Sequence, residues 1–108
     1  MKETFGEYIK RLRLERNFTL TQLAARLDLD SANLSKIENG KREFDEKRLN
    51  MLSTVFDIDF CDIKKEFYSS LFAKKIYESN CDLEALIITE QKVEYLKQKN
   101  LKQSKINF

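Results

Sequence analysis

Apolar positions divide the chain into a succession of short helices. From Thr4 to about Asn17, Phe5, Tyr8, Ile9 and Leu12 recur three and four residues apart, with Thr4 placed to cap the first turn. After Phe18-Thr19-Leu20 a second, shorter helix is predicted, with Leu23, Ala24 and Leu27 on one face and Thr19 or Thr21 as its cap. Asp28-Leu29-Asp30 interrupts the pattern, and a third helix resumes at Ser31 with Leu34 and Ile37 inward and Gly40 as a left-handed stop. Asp45 then caps a fourth helix carrying Leu49, Leu52, Val55 and Phe56, and a fifth short helix follows Asp59 with Phe60, Ile63 and Phe67. Further on, Leu71, Phe72, Ile76 and Tyr77 are separated at Ser79-Asn80 from Leu83, Leu86, Ile87, Val93, Leu96 and Leu101, which predicts two helical segments. The lysine-rich end, with Lys97, Lys99, Lys102 and Lys105, is expected to fray.

With 108 residues, no proline and two glycines, the chain supports one compact core and a mostly helical backbone. The expected architecture is all-α: a five-helix domain over residues 1–68 and a C-terminal helical extension over 69–108, suited to dimerisation or partner binding. Net charge is only +2, so clustering matters more than the total. Basic residues bunch at Lys10, Arg11, Arg13 and Arg16, and again at Lys36, Lys41, Arg42, Lys47 and Arg48.

Several classes of function lack their parts. There is no histidine, no glycine loop to cradle phosphate, and no cysteine placed beside a base, so neither an enzyme, a metal site nor a cofactor is expected. Glu43 and Asp45 read as loop and cap residues. Cys61 and Cys81 stand twenty positions apart and are expected as small buried apolar residues. The N-terminus lacks the apolar stretch of a signal peptide, and no run approaches the roughly 18 apolar residues of a membrane span, so a cytoplasmic protein without a membrane partner is expected.

The third helix carries the most informative surface. If Leu34 and Ile37 hold it on the core, then Ser31, Ala32, Ser35 and Lys36 turn outward, with Asn33 beside them. A helix fits the major groove of duplex DNA, where Asn, Ser and Lys can address base edges. Any solvated helix also shows a polar face, so this face alone does not decide the function.

The wider pattern narrows the choice. The run Phe5-Gly-Glu-Tyr-Ile-Lys-Arg-Leu-Arg-Leu-Glu-Arg-Asn-Phe-Thr-Leu-Thr-Gln-Leu-Ala-Ala-Arg-Leu, followed by Leu34-Ser-Lys-Ile-Glu-Asn-Gly-Lys-Arg, resembles the xenobiotic-response-element family of helix-turn-helix regulators, whose fold is similar to that of the lambdoid phage repressors. The resemblance spans about residues 4–67, and Leu23-Ala24 and Ile37-Glu38-Asn39-Gly40 are its most specific pieces. It implies base reading by Ser31, Ala32, Asn33, Ser35 and Lys36. It also implies phosphate contact by Thr19, Thr21 and Gln22, although Thr19 or Thr21 can equally serve as a plain cap. Phosphate contact is implied again at Asn39, Lys41 and Arg42, against the alternative of ordinary surface charge. Arg13 and Glu38 correspond to a structural ion pair of the family, with phosphate contact the alternative for Arg13.

Three positions depart from the family pattern. Asp28 stands where glycine is frequent in the turn, at a position that asks for a left-handed residue. Phe44 replaces a frequent proline and can pack inward or join an interface, and Ala32 removes a polar group from a position that often reads bases. The implied function is a homodimeric transcription regulator on an inverted-repeat operator in double-stranded DNA, with the tail residues Leu83, Leu86, Val93 and Leu96 as candidate dimer contacts; Phe60, Phe67 and Phe72 could pair instead, although an intramolecular core is the favoured reading for them. The tail sequences Phe72-Ala-Lys-Lys-Ile-Tyr and Glu90-Gln-Lys-Val-Glu-Tyr-Leu are similar to those of controllers beside restriction-modification systems. The alternative function is an antitoxin whose tail captures a toxin and whose DNA binding is autoregulatory.

Overall fold

The computed structural model describes the backbone of residues 2–106 and the side chains of residues 2–100; Leu101, Lys102 and Lys105, and with them the expected fraying, lie outside the described side chains. Six α-helices occur among the described residues: α1 (Phe5–Glu15), α2 (Leu20–Arg26), α3 (Ser31–Glu38), α4 (Leu49–Phe56), α5 (Phe60–Ser79) and α6 (Glu84–Ile106), with a 3-10 turn over Glu46–Arg48 before α4. The backbone divides into two compact units, 1–72 and 73–108.

In the first unit the helix starts follow from short polar side chains. Thr4 and Thr19 each form a reciprocal capping box, with Glu7 and Gln22 respectively, and Asp30 accepts from the Asn33 amide at the start of α3. Each such cap contributes about 1 kcal/mol. Asp45 caps the 3-10 turn and not α4 itself, and the Asp59 carboxylate accepts from the Cys61 amide ahead of α5.

The helix ends share one device. Asn17, Asp28, Gly40, Asp57 and Asn80 all have φ between 54° and 75°, and the amide after each reaches back across the last turn to a helix carbonyl. Asparagine and aspartate tolerate this left-handed region better than most residues, so a chain with two glycines can still stop five helices sharply. Asp28 therefore completes the turn between α2 and α3, with φ 55°.

The core gathers Ile9, Leu12, Leu23, Leu27, Leu34, Ile37, Leu49, Leu52, Phe56 and Ile63, each buried. Fully burying a side chain of this size contributes roughly 1.5–3 kcal/mol. Phe44 turns inward, its ring 5.8 Å from that of Phe5, which also meets Phe67 edge-on at 5.2 Å. Gly6 brings α1 against the end of α3: a Cβ there would collide with the Ile37 carbonyl oxygen and lie 2.9 Å from that of Glu38.

Two further sequence expectations need correction. The fifth helix is not short; no breaker falls between Phe60 and Ser79, and it runs 20 residues. Both cysteines are exposed and free, because Cys61 follows the capped start of α5 on its solvent side and Cys81 lies in the turn after Asn80. Val55 and Phe60 are only partly buried against the core, and Phe72, stacked on Tyr68, is exposed.

In the second unit, Asp82 accepts from the Glu84 amide at the start of α6. Along this 23-residue helix Leu86, Ile87, Ile88, Val93, Tyr95 and Leu96 are all exposed. No helix among the described residues is long and apolar enough to cross a membrane.

Candidate nucleic-acid interface

Helix α3 owes its position to a buried pair as well as to Leu34 and Ile37. Arg13 donates from Nε to Glu38 at 2.8 Å and from Nη2 to the other carboxylate oxygen at 3.1 Å. Its Nη1 donates to the Phe18 carbonyl at 3.0 Å, so one guanidinium joins α1, the approach to α2 and the last turn of α3. Both residues are buried, Arg13 at 8 % and Glu38 at 5 % exposure, and this geometry leaves Arg13 no free edge for a phosphate. The planar fork of arginine suits this bidentate arrangement as lysine could not.

The outer side of α3 is open. Ser31, Ala32 and Lys36 are exposed, and Asn33 and Ser35 are half-buried. Asn33 is already engaged: its Nδ2 donates to Asp30 at 3.1 Å and its Oδ1 accepts from Arg42 Nη1 at 2.8 Å. Asn39 folds back on α3, donating to the Ser35 carbonyl at 2.9 Å. At the start of α2, Thr19 and Gln22 are occupied with each other in the capping box, whereas Thr21 is exposed. Among the described residues Lys36 and Lys41 have no ion-pair partner, and both lie open to solvent. Lys10 borders an open groove along α1 together with Asn39 and Gly40.

Charge clusters in the sequence overstate how many cations are available. Arg11 is held between Glu3 at 2.8 Å and Glu15 at 3.0 Å. The Arg11 guanidinium, through its hydrogen bond first and its charge second, keeps the Glu3 carboxyl below the usual carboxylate range despite partial desolvation. Arg16 donates to the Phe56 carbonyl at 2.8 Å and lies over the Phe56 ring; Arg26 lies over Phe18. Arg48 donates to the carbonyls of Leu27 at 2.9 Å and Asp28 at 3.1 Å, satisfying the end of α2, and pairs with Asp45. Helical spacing accounts for the Arg11–Glu15 and Arg48–Asp45 pairs, but Phe56 beside Arg16 and the Leu27 and Asp28 carbonyls beside Arg48 come from distant parts of the chain. Tyr68 donates to Glu46 at 2.9 Å, tying α5 to the 3-10 turn, and this bond to the carboxylate raises its pKa above the ordinary phenol value.

Two helices joined by a tight left-handed turn, the second braced from behind and open in front, constitute a helix-turn-helix unit. The helix-turn-helix family model matches residues 9–63. The chain belongs to this family of DNA-binding transcription regulators, of the xenobiotic-response-element type. It is 30 % identical over 100 residues to the HTH-type transcriptional repressor RghR of Bacillus subtilis, covering 92 % of this chain and 72 % of that protein. It is also 38 % identical over 71 residues to the control protein C.MunI of Mycoplasma sp, covering 61 % of this chain and 96 % of that one. Among solved structures, the clp gene regulator ClgR of Corynebacterium glutamicum superposes with a TM-score of 0.52 at 21 % identity, over 69 % of this chain and 80 % of that one. A chain of the SinR protein/SinI protein complex superposes at 0.50 and 20 % identity, over 94 % and 99 %. These two likenesses concern the fold alone.

Proposed function

We propose that the chain is a cytoplasmic repressor that binds an inverted-repeat operator as a homodimer, each copy presenting α3 to a major groove. The observation that carries this is the contrast between the two sides of α3, with a bidentate ion pair and core contacts behind, and exposed Ser31, Ala32 and Lys36 in front. In this reading Ser31, Ser35 and Lys36 address base edges, and Thr21, Lys41 and the amides at the start of α2 meet phosphate. A single unit this small has a modest DNA contact area, and pairing over two half-sites one helical turn apart supplies the rest. The exposed apolar residues of α6 are suited to that pairing. A role as controller of restriction-modification genes is supported by the tail sequence and by the likeness to control protein C.MunI.

The same exposed residues favour a second reading, in which α6 takes a protein partner and DNA binding is autoregulatory. A stable dimer on size-exclusion with light scattering supports the first reading, and a monomer that pairs only with a foreign chain supports the second.

Selection of duplexes from the host genome by the purified protein, followed by sequencing, tests the DNA reading. Lys36→Ala should weaken binding to the selected duplex about tenfold while leaving the thermal midpoint within a degree or two. Affinity should fall steeply as salt rises, because phosphate neutralisation releases counterions; a flat salt response overturns the interface.

A further inference from the structure

Asn33 and Arg42 are nine residues apart, and the structure joins them through one hydrogen bond at 2.8 Å. We propose that Asn33 is a positioning residue that reads no base itself and instead holds the Arg42 guanidinium beside the start of α3, where Arg42 meets a pair of adjacent acceptors on DNA. This rests on the DNA-binding reading above and assigns work within it.

Three observations favour the assignment. First, both polar ends of the Asn33 side chain are occupied, Nδ2 by Asp30 and Oδ1 by Arg42, so reading a base would mean breaking an existing bond or adding a second one to a half-buried amide. Second, Arg42 differs from the arginines braced inside the fold: Arg11, Arg13, Arg16 and Arg48 each lie beside a carboxylate, whereas Arg42 bonds a neutral amide on an exposed side chain, with no carboxylate partner among the described residues. Third, among the described residues only Nη1 of Arg42 has a hydrogen-bond partner, which leaves the Nε and Nη2 edge, the one that makes two parallel hydrogen bonds, open to a ligand. Asp30 fixes the amide from the other side, so the Asp30–Asn33–Arg42 chain orients the cation before any DNA arrives. Pre-ordering a long side chain in this way removes part of the entropy cost of binding.

The acceptor pair is either O6 and N7 of a guanine or two phosphate oxygens, and these have different signatures. A double-mutant cycle on the duplex selected by the native protein, with Asn33→Ala, Arg42→Ala and the double variant, provides the test, together with salt slopes and a repeat selection from random duplexes for each variant. Truncation at Asn33 leaves its backbone amide on Asp30, so α3 still starts normally and thermal midpoints should stay near native. Either single variant is expected to lose about tenfold in affinity, and the double variant no more than Arg42→Ala alone. If both singles lose preference at the same base pair, Arg42 reads guanine; if both lose about one unit of salt slope with preferences intact, it meets phosphate. The proposal is overturned if the losses multiply, or if Asn33→Ala erases a base preference that Arg42→Ala retains. A native protein that shows no sequence preference instead overturns the DNA reading itself.

Discussion

Arg13 carries more structural consequence than any other polar side chain in the first unit, because three of its nitrogens are committed and its carboxylate partner is buried. Arg13→Ala leaves Glu38 without compensation beneath the helix that faces outward, at a cost of about 3–5 kcal/mol. Thermal unfolding should show a large drop in midpoint. A variant that melts like the native protein and fails only in DNA binding would place Arg13 at the interface instead. The pairing of Arg13 with Glu38 was accessible in the sequence through the family resemblance, whereas the engagement of Arg16 with Phe56 and of Arg48 with the end of α2 was not. Charge counting treats every arginine as available, and only tertiary proximity shows that Arg48 satisfies the end of α2 and that Arg16 lies on Phe56.

At the scale of elements, periodicity located the first four helices, because each has an apolar stripe and a left-handed stop, and the first three also a side-chain cap. It failed on the fifth, where the apolar stripe that packs on the core passes without a breaker into residues that leave it. Periodicity also could not indicate how closely two helices approach. The two glycines separate the two issues: Gly40 has open space around it and φ 75°, so Gly40→Ala should cost roughly 1 kcal/mol of backbone strain and no more. Gly6→Ala meets carbonyl oxygens of α3 and must force the helices apart, which should cost more in the thermal midpoint and also reduce affinity for the selected duplex. Equal effects of the two substitutions would mean that α1 and α3 can separate without penalty.

For the molecule as a whole, the distribution of exposed apolar surface is uneven. Large apolar residues of the first unit are mostly in the core, while α6 shows Leu86, Val93 and Leu96 to solvent over three turns. If the protein pairs through α6 as proposed, replacing Leu86 and Val93 together with glutamate should leave the helix-turn-helix unit folded and convert the dimer to a monomer in light scattering, with affinity for the selected duplex falling accordingly. Unchanged mass and affinity would move the pairing surface elsewhere, Phe72 being the next exposed candidate. Residue order alone does not choose between these surfaces, since amphipathic spacing describes a face and not what covers it.

Arginine and lysine have separate duties here. Apart from Arg42, the arginines of the first unit brace carbonyls, carboxylates and rings, while Lys10, Lys36, Lys41 and Lys47 extend into water with no carboxylate partner among the described residues. If Lys36 and Lys41 meet DNA as proposed, acylation, which neutralises amines and ignores guanidinium groups, acts on that contact and leaves the arginine-braced scaffold in place. Treatment with an acetyl donor should lower affinity for the selected duplex in proportion to the amines modified, with circular dichroism and the melting curve little changed. A cell with an enzyme for that reaction could adjust operator occupancy continuously, using protein that never has to unfold or be remade.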